Sequence, residues 1–199
     1  MTQLHFPGFL PPVPPAPAVP PSRSPFAAQI ALAAYPRVPG TIRASFGKNI
    51  GRAGEEFVAS ILSRFGFENF PAPEDQPFDR LVRFTPDGGA STSDARVQIK
   101  TATSHQNRSY TFTMQRGYRG SPQGRQSYGD DAYDIAALVI LPRNAVFFTA
   151  EKATHHRIHL SEVPGLIDQP QRSLFTALGL PHPASPDAND ADDPGHAPV

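Results

Sequence analysis

The segment IAALVIL, residues 135–141, contains no polar side chain. It is far shorter than the roughly 20 residues a membrane span needs. A strand with one face in water would alternate apolar and polar residues. A continuous apolar run bounded by turn residues reads instead as a strand buried on both faces. Such a strand needs layers above and below its sheet. The predicted fold class is therefore α/β, a mixed central sheet with flanking helices.

The surrounding sequence supplies those layers. In NIGRAGEEFVASILSRFGF, Phe57, Val58, Ile61, Leu62 and Phe65 recur at helical spacing. Asn49 is the predicted N-cap and Gly66 the C-terminal stop. At about 100° per residue, Glu56 falls opposite this apolar face and is a solvated charge. Glu55 lies roughly 90° from its centre, at a border where a carboxylate can reach over a sheet edge. FDRLVRFT (78–85) and ARVQIKTA (95–102) flank the turn PDGGASTSD and predict a hairpin. SYTFTMQ (109–115) predicts a third strand whose Tyr110 and Phe112 face a core. AVFFT (145–149) predicts a strand after the turn PRN, and QRSLFTALGL (171–180) a last helix.

Proline sets the boundaries. Residues 1–40 hold 11 of the 24 prolines, concentrated in FLPPVPPAPAVPPSRSP. This stretch reads as an extended, disordered arm of the kind that acts as a spacer or as a protein ligand for an SH3-like groove. AAQIALAAY (27–35) suggests one short helix within it. Residues 181–199, rich in Pro and Asp, read as a disordered acidic tail. The folded domain is placed at 41–180. With no cysteine, disulfides and thiolate zinc sites are excluded. The proline-broken N-terminus is a poor signal peptide, which fits a cytoplasmic protein without a membrane segment.

Net charge is zero, but the average conceals a cluster. Between Asp94 and Asp130 stand Arg96, Lys100, Arg108, Arg116, Arg119 and Arg125, with no acid among them. Local basic clustering attracts a polyanion whatever the net charge. THHRIHL brings together His155, His156 and His159, but no Glu falls between them in a metalloprotease pattern, so they read as ordinary histidines. Asp130, Asp131 and Asp134 read as a polar strand entry.

Within VQIKTA, strand alternation puts Arg96, Gln98 and Lys100 on one face and Val97, Ile99 and Thr101 on the other. With Glu55 on the helix border and Asp79 at the head of the preceding strand, four polar residues form a set suited to phosphodiester hydrolysis. A carboxylate and a main-chain carbonyl hold a hard cation. A lysine beside them orients water and stabilises developing charge.

GRAGEEFVASILSRFGF, FDRLVRF, VQIKTA and YDIAALVILPRNAVFFTA together resemble the PD-(D/E)XK nucleases over about residues 50–150. The likeness is to the group I intron-type homing endonucleases, in which a QxK variant occurs, and more distantly to Holliday junction resolvases. It implies a restriction-endonuclease-like αβββαβ core, Mg²⁺ with Mn²⁺ able to substitute, and cleavage of DNA to leave a 3′-hydroxyl by a dimer or tetramer. By position, Glu55 would be the helix carboxylate, Asp79 the metal-bridging acid, Gln98 the variant metal ligand and Lys100 the catalytic lysine. Glu55 would act directly or through a metal-bound water. Arg96, Arg108, Arg116, Arg119 and Arg125 would contact DNA. The sequence departs from the pattern at Phe78, where proline is usual, and at Gln98, whose amide oxygen is neutral. No helix is visible between the third and fourth strands. The alternative is a catalytically inactive module of the same fold that binds DNA or protein.

Overall fold

The computed structural model describes residues 40–86, 91–117 and 124–182. The proline-rich arm before residue 40, with its suggested helix at 27–35, lies outside them, as do Arg119 and the tail after residue 182. The chain divides between Ile42 and Arg43, and the body described here starts at Arg43.

A short helix, α1 (Gly40–Ser45), is followed after Phe46 by α2 (Gly47–Arg64). The Phe46 carbonyl accepts the Ile50 N–H at 3.0 Å, so the first turn is already closed there. Asn49 therefore lies inside the helix and does not cap it, which corrects the predicted start. The predicted stop holds. Gly66, at φ +80°, lets Gly66 and Phe67 donate back to the carbonyls of Ser63 and Leu62, satisfying groups the helix end would leave bare.

The central sheet has five strands: β1 (Glu68–Pro71), β2 (Arg80–Phe84), β3 (Ser93–Ala102), then β7 (Ile135–Ile140) and β8 (Ala145–Thr149), in the order β1-β2-β3-β7-β8. All neighbours are antiparallel except β3 and β7, where Val97 pairs with Ile135 and Ala102 with Ile140. The predicted hairpin is β2–β3, and β7 is buried along its whole length. β1 was not expected. It is a four-residue edge strand ending in Pro71, too short and too polar to show a period.

The predicted third strand is present as β4 (Ser109–Thr113), but it leaves the central sheet. It pairs with β9 (His155–His159), the segment read as a histidine cluster. β5 (Gln115–Arg116) and β6 (Gln126–Ser127) form a second small ribbon. Parallel neighbours are usually joined through a helix. Among the described residues the β3-to-β7 crossover has none, and β4, β5 and β6 occupy that stretch. With β1 in place the helix is followed by three antiparallel strands and then β7, as expected of the fold class; the segment 109–115 is not the third of them, and among the described residues the β5–β6 ribbon stands in the crossover where a helix is usual.

Helices α3 (Val163–Asp168) and α4 (Pro170–Leu178) end the body. One core lies between the sheet and α2 with α4. It contains Val58, Leu62, Val97, Ile99, Val139 and Leu174. The other lies beneath the β4–β9 ribbon and α3. It contains Tyr110, Phe112, Ala136, Leu138, Ile158 and Val163. Both faces of the sheet are thereby covered. The polar face of β3 is consequently not a solvated surface, and Gln98 is only 4 % exposed.

Candidate active site at the open end of β3

β2 pairs with β3 only as far as Arg80 opposite Val97. Beyond that point β3 continues to Ala102 with β7 on one side and, among the described residues, no strand partner on the other. The strands separate at Asp79, whose N–H still donates to Val97 O at 2.9 Å. Its side chain then substitutes for the missing strand, with Oδ2 accepting the Ile99 N–H at 2.6 Å. In an extended chain the N–H and C=O of one residue point the same way, so the Ile99 carbonyl also faces this open edge.

Gln98 Nε2 donates to Asp79 Oδ2 at 2.5 Å and to Ile99 O at 3.2 Å. A positively polarised amide nitrogen thus stands between two oxygens that would suit a cation. Lys100 Nζ donates to Gln115 O at 2.9 Å and to the Tyr128 hydroxyl at 2.8 Å.

Glu55 reaches the same place from α2. The approach depends on Gly54, where an added Cβ would stand 2.0 Å from Thr101 Oγ1. Only a residue without a side chain lets α2 lie this close to β3. Glu55, Ile99, Lys100, Thr103, Gly51 and Arg43 line a cleft of about 370 Å³. Arg43 Nη1 donates to Thr103 O at 3.3 Å. Glu56 is exposed and faces Arg52 at 4.0 Å, as the helical projection requires. A larger cleft of about 660 Å³ lies by β8, α3 and α4, walled by Phe147, Leu166 and Arg172. It contains none of the predicted site residues, so size alone does not mark the chemistry.

Electrostatics set this corner apart. Burial pushes the Asp79 carboxyl above its ordinary value, although the Ile99 N–H, Lys100 and Gln98 oppose the shift. Burial raises Glu55 as well, and the Asp79 charge raises it further. Burial lowers Lys100 against the pull of Asp79. A divalent cation would relieve both carboxylates. The oxygens of Asp79, Glu55 and Ile99, with the Gln98 amide turned to present Oε1, suit a hard ion such as Mg²⁺. Among the described residues no three His, Cys, Asp or Glu side chains converge as a metal site, so the amide and the main-chain carbonyl would have to take part. The histidines of β9 form no such site: His156 is buried while His155 is exposed, on alternate faces.

The arginines divide. Arg96 forms a two-pronged pair with Asp134, Nη2–Oδ1 at 2.8 Å and Nε–Oδ2 at 3.0 Å, and also bonds the Asp131 carbonyl. Its guanidinium is thus engaged within the fold by Asp134. Arg108 sits at the tip of a tight turn with φ +60°, before β4, whereas Gln115 follows the far end of that strand. Arg116 is exposed beside the site, its charge acting on the Tyr128 phenol. Arg125 is exposed. Tyr128, Arg43 and Gly54 were not singled out in the sequence.

No protein-family model matches the chain, and no match was found among curated proteins. Among solved structures, the chain is similar to a bacterial homing endonuclease, I-Ssp6803I, at a TM-score of 0.45 and 12% sequence identity, covering 56% of this chain and 76% of that one. Among the described residues no helix is long and apolar enough to cross a membrane.

Proposed function

We propose that the chain is a metal-dependent endonuclease that hydrolyses phosphodiester bonds in DNA. The observation that carries this reading is the open end of β3. There the Gln98 amide lies 2.5 Å from the Asp79 carboxylate and 3.2 Å from the Ile99 carbonyl, beside a half-buried lysine and a second carboxylate. Buried groups with opposed charge preferences in a cleft are what acid–base and electrostatic catalysis needs.

Asp79, the Ile99 carbonyl and Glu55 would hold Mg²⁺ or Mn²⁺, with Gln98 as a neutral fourth donor. The ion would supply Lewis-acid polarisation of a phosphate oxygen. Lys100 holds a water oxygen in line with phosphorus and offsets charge building on the phosphoryl oxygens. The water oxygen bonds to phosphorus, the bond to O3′ breaks, and a proton passes to O3′, leaving a 3′-hydroxyl and a 5′-phosphate. Arg43 at the cleft wall and Arg116 near Tyr128 favour a polyanion, and the exposed Arg125 would add to them. A dimer would bring two such sites to two antiparallel strands.

A second reading is a DNA-binding module without cleavage. What favours it is the Gln98 amide N–H, which occupies the Asp79 oxygen a metal would take. Plasmid cleavage with Mg²⁺ or Mn²⁺, against EDTA, separates the two. The nuclease reading expects nicking or linearisation that Asp79→Ala and Lys100→Ala each reduce at least about a hundredfold. No cutting of plasmid or branched DNA by folded protein, with a gel shift that survives EDTA, would establish the binding module instead.

A further inference from the structure

Two acceptors hold the Lys100 ammonium, and both belong to one ribbon. Gln115, whose carbonyl lies 2.9 Å from Nζ, opens β5. Tyr128, whose hydroxyl lies at 2.8 Å, directly follows β6. The ribbon is closed by its main-chain pairing and by Arg116 Nε donating to Gln126 Oε1 at 3.2 Å. The Tyr128 ring is fixed in turn. It meets Tyr133 edge-to-face at 5.5 Å and 90°, and Tyr133 is buried.

We infer that Tyr128 is the positioning residue of Lys100, an assignment that rests on the nuclease reading for its catalytic meaning but not for its geometry. An ammonium has three N–H donors on a stem of four rotatable methylenes. Two fixed acceptors leave a single donor and a single direction for it. Asp79 faces the lysine from the head of β2, Glu55 and Arg43 from the cleft, and the Tyr128 phenol from the ribbon. Burial raises that phenol well above its ordinary value, so it remains a neutral hydroxyl able to accept from the ammonium.

The chain has three lysines, Lys48, Lys100 and Lys152, so reductive methylation with limiting formaldehyde, mapped by mass spectrometry, reads each separately. Lys48 is exposed and serves as the reference. Lys152 is held by the main-chain carbonyls of Tyr133 and Asp134 and reports general loosening. In Tyr128→Phe, Lys100 should react about tenfold faster relative to Lys48, the loss expected for one hydrogen bond to a charged group. Lys152 should keep its rate. Plasmid cleavage by the same variant should lose about tenfold in kcat, with DNA affinity in EDTA unchanged.

An unchanged Lys100 rate overturns the inference, as does a rise shared by Lys152. A loss of kcat accompanied by an equal loss of DNA affinity also overturns it, since Tyr128 would then contact DNA. Should the wild type cut no DNA, the nuclease reading fails, and the methylation rates alone decide whether Tyr128 holds Lys100. Tyr128→Leu carries the same test if the phenylalanine variant does not fold.

Discussion

The two ends of β3 present the same chemistry on the same face and reach opposite results. At the paired end, Arg96 meets Asp134 where both side chains keep over a third of their surface in water. The aspartate is held below its ordinary value, chiefly by the hydrogen-bonded guanidinium. Four residues on, Lys100 and Asp79 are half-buried, and desolvation moves both groups toward neutrality. A solvated, two-pronged pair is a fastener. A half-buried carboxylate and ammonium whose charges are less well solvated, beside a strand edge, are the groups the proposed chemistry would use. Burial, not residue type, separates the two roles.

The comparison breaks most readily at Gly54. Gly54→Ala places a methyl against Thr101, must push α2 off the open end, and should cost about 2–3 kcal/mol by denaturant unfolding. Cleavage should fall with it, while the Arg96–Asp134 end keeps its geometry. A variant as stable as the wild type would show that α2 does not pack against β3 at this point.

A smaller effect is expected at the paired end. Arg96→Ala should cost about 0.5–1 kcal/mol, allowing for solvent screening, and should leave cleavage within a few-fold of wild type. Because the folded-state pKa of Asp134 is depressed, its contribution is present above the unfolded value of 3.8 and is lost as pH falls through the lower folded value. The gap between Arg96→Ala and wild type should therefore close on acidification. A gap independent of pH would assign the loss to packing.

The smallest effect should carry the opposite sign. The folded-state pKa of Asp79 is raised above 3.8, so its ionisation weakens the fold as pH rises through the window between those values. Asp79→Asn keeps an oxygen for the Ile99 N–H and should raise stability at neutral pH by several tenths of a kcal/mol to about 1 kcal/mol. The gain should vanish in acid, and cleavage should be lost at every pH. A destabilised variant at neutral pH would mean that the Asp79 charge holds the strand fork together.

Local sequence made part of this legible. The run in β7, the strand at 145–149, the last helix and the β2–β3 hairpin each follow from a period or a turn within a few residues of themselves. The site set could be read because Asp79, Gln98 and Lys100 lie on one hairpin. Arg96 could not be read as a fastener, because Asp134 is 38 residues away and joins it only when β7 docks. β4 looked like the next strand of the sheet, since nothing within it names β9 as its partner. Tyr128 lay in a polar loop, and its role arises from folding that loop back over Lys100.

The parallel pairing of β3 with β7 has a consequence in time. Val97 must find Ile135 across a long, mostly non-helical crossover, and pairings of high sequence separation form slowly. Synthesis delivers the chain from its N-terminus, so the β2–β3 hairpin leaves the ribosome well before its neighbour. A nascent chain therefore carries Asp79, Gln98 and Lys100 long before it carries a site.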